Sequence, residues 1–174
     1  MAEVLLHLIH PMLEKSRVNR VLLERAQGLG DVEVNDLYEL YPDHMIDVER
    51  EQALMTKHSS IVFQFPFFWY SSPSLLKEWF DLVLQYGWAY GKGANALVGK
   101  KGRLAVTTGG SADSYSKEGH NGFTMQEFLC PIFSTLGLCG MEVGDSFFVH
   151  GALQMTEDEM KTVAADFEDW LLKE

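Results

Sequence analysis

"SSIVFQFPFFWYSSPSLLKEWFDLVLQY", residues 59–86, carries a strand, a turn and a helix in unbroken succession. Ser59 to Pro66 is nearly all apolar and shows no alternation, the pattern of a strand buried on both faces of a parallel sheet. Ser72 and Pro73 start a helix, because proline's fixed φ suits the first turn and its missing N–H costs nothing there. From Pro73 to Tyr86 that helix keeps Leu75, Leu76, Trp79, Val83 and Tyr86 on one face. The turn between them is the anomaly. Six of the chain's 21 aromatics fall in residues 63–70. Four of them, Phe67, Phe68, Trp69 and Tyr70, are consecutive at a place where polar residues are expected. Phe63 and Phe65, inside the strand, read as core. The other four cannot all enter one core from a loop, and a flat apolar ligand laid across them would cover the surface they expose.

The pattern repeats on both sides. Towards the N-terminus, Val4 to Ile9 reads as a buried strand ended by His10 and Pro11. Arg17 to Gln27 is a helix with Val18, Val21, Leu22 and Ala26 on one stripe, stopped by Gly28 and Gly30. Val32, Val34 and Asp36 alternate with Glu33 and Asn35 in a strand expected to run on to Tyr38. Residues 39–48 form an excursion with a turn at Pro42 and Asp43, and Glu49 to His58 is helical. Towards the C-terminus, Gly102 to Thr108 is a strand, and Thr124 to Leu136 is a helix that Pro131 interrupts and should bend. Glu142 to His150 is a fifth strand. Thr156 and Glu159 form a capping box for a last helix with Met160, Val163, Ala164, Phe167, Trp170 and Leu171 on its stripe. Strand then helix, about five times, predicts an α/β three-layer sandwich: one domain over residues 1–174 with a five-stranded parallel sheet in the flavodoxin-like order 2-1-3-4-5.

The charge is 14 basic against 25 acidic residues, or −11, which argues against nucleic acid and anionic membrane surfaces as partners. No stretch reaches the 18 or so apolar residues that a membrane span needs, and MAEVLLHLIHP lacks a signal peptide's basic start. Cys130 and Cys139 read as small buried hydrophobes in a reducing compartment, so the expected location is cytoplasmic. His7, His44, His58 and His150 have no metal-ligand spacing and read as structural or exposed; no metal site is expected.

In a doubly wound sheet, ligands bind beyond the carboxyl ends of the strands, where strand order reverses. Three loops meet there. "HPMLEKSRVNR", residues 10–20, puts Ser16, Arg17 and Asn19 at a helix N-terminus, where free N–H groups and the helix dipole favour a phosphate. No glycine-rich phosphate loop is present. The aromatic turn is the second loop. The third, "TTGGSADSY", residues 107–115, offers Thr107, Thr108 and the N–H groups of Gly109 and Gly110, with Tyr115 beside them. A phosphate, flat rings and a polar ring edge together describe flavin mononucleotide.

The stretches "DLYELYPD" (36–43), "IVFQFPFFWYSSPSLLKEWFD" (61–81), "GWAYGKG" (87–93), "LVGKKGRLAVTTGG" (97–110) and "SYSKEGHNG" (114–122) carry a family resemblance. The chain resembles the flavodoxin-like NAD(P)H:quinone reductases, the family of mammalian DT-diaphorase. Within it the chain is most similar to the ancillary proteins of the glutathione-gated Kef potassium-efflux systems. The resemblance implies that Ser16, Val18 and Asn19, with Arg17 and His10 beside them, hold the flavin phosphate and ribityl chain. It implies that Pro66, Phe67, Phe68, Trp69 and Tyr70 run along the ring, and that Thr107, Thr108, Gly109 and Gly110 face its pyrimidine edge. Tyr115 matches the tyrosine beside the reacting face. The family's histidine stands six positions after that tyrosine, whereas His120 stands five after Tyr115.

The implied reaction is ping-pong. A nicotinamide, NADH or NADPH, gives a hydride to flavin N5, and a quinone then takes two electrons, with Tyr115 and His120 as candidate proton relays. The short C-terminus favours FMN over FAD. The resemblance also implies a homodimer, and Trp88 and Tyr90 are candidates to cover the flavin or meet the second subunit. Two rival readings stand beside the enzyme. One is a regulatory subunit held at the inner membrane face by a potassium-efflux transporter, with flavin in a structural or sensory role. The other is a one-electron flavodoxin-type carrier.

Overall fold

A computed structural model describes residues 3–173. Val4–Leu8 (β1), Val32–Asp36 (β2), Ser60–Pro66 (β3), Lys101–Thr107 (β4), Glu142–Val143 (β5) and Phe147–Val149 (β6) form one parallel sheet. Its order is β2-β1-β3-β4-β5, with β6 also paired to β4. Register runs from Ser60 opposite Lys101 to Pro66 opposite Thr107, so β3 and β4 end together. Leu8 pairs with Gln64 on β3 and Ile9 donates its N–H to the Gln64 carbonyl, which brings the end of β1 to the same edge.

The helices cover both faces. Alternation along β3 decides which residues meet which layer. Ile61, Phe63 and Phe65 pack with the stripe Leu75, Leu76, Trp79 and Val83 of Ser74–Val83 (α4). That layer also holds Leu37–Leu40 (α2), Val48–Lys57 (α3) and Met125–Leu138 (α5). Val62 faces the other way, into a cluster with Val18 and Leu22 of Arg17–Gln27 (α1) and Phe167 and Leu171 of Glu157–Leu172 (α6). Full burial of side chains of this size stabilises by about 1.5–3 kcal/mol each. The predicted capping box at Thr156 and Glu159 is present, and a second one, Thr124 with Glu127, starts α5.

Five readings need correction. The second strand ends at Asp36, two residues short of Tyr38, because the Asp36 carboxylate caps α2 by accepting from the N–H groups of Tyr38 and Glu39. The helix from Pro73 stops at Val83 rather than Tyr86, and Leu84 turns out of it. The fifth strand is two short pieces, β5 and β6, split at residues 144–146, where a Cβ on Gly144 would stand 2.9 Å from the Arg103 side chain. Pro131 lies inside an uninterrupted α5. Of the cysteines, Cys139 is buried but Cys130 is exposed.

Candidate functional site

The three loops converge at the carboxyl edge of the sheet. A cleft of about 460 Å³ is lined by His10, Ser16, Arg17, Val18 and Asn19 from the first loop. Pro66, Phe67 and Phe68 line it from the second, and Thr107, Thr108 and Gly109 from the third. A shallower hollow of about 320 Å³ adjoins it through Phe67 and holds Trp69, Tyr70, Gly110, Tyr115 and His120. The candidate cofactor and catalytic residues therefore lie on one rim, whereas Trp88 and Tyr90 line neither space and pack, partly buried, against the core. The larger hollow, about 590 Å³, opens at the opposite edge between Glu3, Asp31, Lys101 and Arg103. There Arg103 donates to the carbonyls of Trp170 and Leu171 and lies 4.5 Å from the Trp170 ring centroid, so it is occupied in closing the C-terminus of α6.

Asn19 ties the loops together. Its Nδ2 donates to Thr107 Oγ1 at 2.9 Å and to Ser16 Oγ at 3.2 Å. Its own N–H donates to Ser16 Oγ, and its Oδ1 accepts from Gln64 Nε2. Gln64 is central on β3 and points to the α1 side because its neighbours Phe63 and Phe65 point the other way. Asn19 is buried and its amide protons are taken, so it fixes the start of α1 against β4 and leaves other donors for a ligand. Among the described residues the N–H groups of Arg17 and Val18 have no protein acceptor, as expected for the first turn of a helix. Arg17 adds positive charge there while its Nη1 donates to the Met155 carbonyl. His10 accepts the Met12 N–H at Nδ1 and, with burial as the main cause, its pKa is held below the usual imidazole value. It is therefore neutral near pH 7 with its proton on Nε2.

The aromatic turn closes on itself: Phe68 N–H donates to the Ser71 carbonyl and Ser71 N–H to that of Phe68, each at 3.0 Å. Between them Trp69 and Tyr70 have φ of 50° and 62°. Both central residues of this turn are left-handed, the geometry of a type I′ hairpin, which ordinarily takes Asn and Gly. Bulky residues there cost about 1–2 kcal/mol each. Trp69 is 94% exposed. Phe67, by contrast, is fixed by donating its N–H to the Thr107 carbonyl. Phe128 of α5, absent from the sequence reading, packs under the wall at 5.5 Å from Phe67, 5.3 Å from Tyr70 and 6.3 Å from Tyr115. It stands three residues after Met125 and four before Ile132, on the edge of the buried stripe of α5, so periodicity reads it as ordinary core packing and does not single it out.

On the third loop the N–H groups of Gly109 and Gly110 also lack a protein acceptor among the described residues. A Cβ on Gly109 would stand 3.2 Å from Leu153, and one on Gly110 3.3 Å from the Tyr115 ring and hydroxyl. Gly119 is required by close approach, since its Cβ would meet the Asp113 carbonyl at 2.1 Å. That tight loop carries the exposed His120 to the hollow shared with Tyr115. Ala152 and Leu153, after β6, complete the first cleft, and His150 stacks on Tyr115 at 5.3 Å. None of the three is distinguishable by residue type, and only the parallel pairing of β6 with β4 brings them to this edge.

Residues 3–172 match the flavodoxin-like fold family. The chain is 43% identical over 169 residues to the glutathione-regulated potassium-efflux system ancillary protein KefG of Pectobacterium carotovorum, covering 97% of this chain and 92% of the relative. It is 41% identical over 172 residues to YrkL of Bacillus subtilis, named an uncharacterized NAD(P)H oxidoreductase, covering 99% of both. The solved structure of general stress protein 14 of Treponema denticola in complex with FMN superposes with a TM-score of 0.91 at 37% identity, covering 97% of each chain.

Proposed function

The chain belongs to the flavodoxin-like fold family, and from that premise we propose that it is an FMN-dependent NAD(P)H:quinone oxidoreductase. The single observation that carries the reading is the set of unpaired backbone donors along one rim: Arg17, Val18 and Gly109 line the cleft, Gly110 lines the hollow that adjoins it, and Phe67 borders both. The Arg17 and Val18 pair suits a phosphate at the start of α1, where the helix dipole and Arg17 add favourable charge. The Gly109 and Gly110 pair suits the acceptor edge of a heterocycle. A cleft of about 460 Å³ is within the range of cofactor sites. The FMN complex of the Treponema relative and the oxidoreductase name of the Bacillus relative support the same choice.

FMN, when bound, supplies a ring that takes a hydride from a reduced nicotinamide and passes two electrons to an acceptor. The protein's part is to hold and tune. Ser16 and Asn19 keep the phosphate end rigid; Pro66, Phe67 and Phe68 set the ring plane; Thr107 and Thr108 lead into the turn whose Gly109 and Gly110 N–H groups are presented where negative charge accumulates. Phe67, Trp69, Tyr70 and Tyr115 wall the adjoining hollow, a surface suited to a flat aromatic partner such as a nicotinamide or a quinone. Tyr115 and His120 are the proton donors within it.

The purified protein should carry FMN and oxidise NADH or NADPH only slowly until menadione is added. A preparation that stays colourless on addition of FMN and gains no activity would sink the assignment. The similarity to KefG favours a second role, association with a potassium-efflux transporter, which the same polypeptide can hold together with the first. Co-purification with that transporter tests it separately.

A further inference from the structure

The turn that offers the Gly109 and Gly110 donors is held from one side by the end of β6 and the segment that follows it. Thr108 N–H donates to the Val149 carbonyl at 2.8 Å, Gly151 N–H to that of Gly110 at 2.8 Å, and Ala152 N–H to that of Thr108 at 2.9 Å. A side-chain relay runs through the same place. Thr108 Oγ1 lies 2.8 Å from the Gly110 carbonyl and 3.0 Å from His150 Nδ1. A hydroxyl has one proton and a carbonyl can only accept. Thr108 therefore donates to Gly110, and His150 must donate to Thr108. That fixes the tautomer: Nδ1 carries the proton. The imidazole ring is stacked on Tyr115 with planes 29° apart. Tyr115 in turn lies against Gly110, so the histidine supports the turn and the tyrosine at once.

We propose that His150 is a positioning residue of this site, whose Nδ1–H, acting through Thr108, aims the Gly109–Gly110 donors at the bound flavin. This rests on the reading of the cleft as an FMN site. Its ring and its donor are separable. Asparagine puts an N–H donor three bonds beyond Cα, where Nδ1 stands, but has no ring. Phenylalanine keeps the ring against Tyr115 and has no donor.

The test is the midpoint potential of FMN on the wild type and on His150→Phe, His150→Asn and Thr108→Val. Misaimed donors cost the reduced, more negative ring more than the oxidised one. His150→Phe should lose about tenfold in preference for reduced FMN, a fall of about 30 mV for two electrons. His150→Asn should restore the wild-type potential. Thr108→Val, which breaks the relay in its middle and leaves the imidazole in place, should reproduce the fall. If His150→Phe fails to fold, the contrast between Thr108→Val and His150→Asn carries the same test. An Asn variant as low as the Phe variant, or Phe and Val variants at the wild-type potential, overturns the inference while leaving the FMN reading intact. A wild-type chain that takes up no FMN overturns that reading itself and the inference with it.

Discussion

Glu51→Ala should destabilise the chain by about 3–5 kcal/mol, enough to leave little folded protein at ordinary temperatures. Glu51 is fully buried on α3, beneath the sheet face that α4 covers. Its carboxylate accepts from Asn35 Nδ2 at 2.9 Å, Tyr41 Oη at 2.7 Å and Trp79 Nε1 at 2.9 Å, and Arg50 Nη1 pairs with it as well. Four donors from four places in the chain are satisfied by one group. Removing it leaves three largely buried donors and a guanidinium without their acceptor, and an unmade buried hydrogen bond costs more than a made one contributes. Glu51→Gln keeps the size and one acceptor oxygen but sets an NH₂ against those donors, and it should lose somewhat less. Urea unfolding of the three chains gives the comparison. An alanine variant within about 1 kcal/mol of wild type would show that the carboxylate is not the hub.

The same network sets an acid limit on the fold. His7, fully buried on β1, accepts from Asn35 at Nδ1 and stacks on Phe63 at 5.2 Å. Burial is the largest cause that lowers its pKa from 6.5 to about 4, against the opposing pull of Glu51. Below pH 6.5 the unfolded chain binds a proton at His7 that the folded chain refuses until about pH 4. Stability therefore falls as pH drops through that window, by about 3 kcal/mol at one pKa unit per 1.36 kcal/mol, and levels off below it. In His7→Phe that part of the acid limb should flatten. The substitution keeps the stacking and removes a buried Nε2 that has no partner.

Neither Glu51 nor His7 stood out in the sequence as a network. An acidic residue in a helix reads as part of a solvated face, and its partners are spread over positions 7, 35, 41, 50 and 79, which only the folded sheet brings together. The layers, by contrast, were legible, because the unbroken apolar run at β3 and the stripes of α1, α4 and α6 each have one physical solution. The convergence of the three loops followed from the sheet order alone. What escaped was whatever depended on a second partner far along the chain. The break between β5 and β6 falls at Gly144, where the Arg103 side chain, 41 positions away, leaves no room for a Cβ. Phe128 matters through rings on two other loops, and His150 through a threonine hydroxyl 42 positions away. Asp36 is a case of local competition: the residue alternates correctly for a strand, but its side chain caps the next helix instead.

Trp69→Asn should move stability and function in opposite directions. The wild-type turn holds a tryptophan at φ 50° with its ring 94% exposed, so the side chain gains almost nothing from its own fold. Asparagine tolerates that conformation and is favoured at the first central position of a type I′ turn. Relief of the strain should raise the stability of the ligand-free chain by about 1 kcal/mol, or about 2–4 °C in melting temperature for a chain of this size. Tyr70 is kept because its stacking on Phe128 at 5.3 Å would be lost with it. Loss of the Trp69 ring removes one wall of the hollow that adjoins the flavin cleft. A stacking contact of about 1.4 kcal/mol corresponds to a tenfold change, so FMN affinity or quinone turnover should fall by at least about that factor. Strain kept at a site and released only by losing activity is the signature of a residue held for function. A variant that is more stable and equally active would mean that the ring serves neither the cofactor nor its partners, and a variant that is less stable would mean that the turn is not strained.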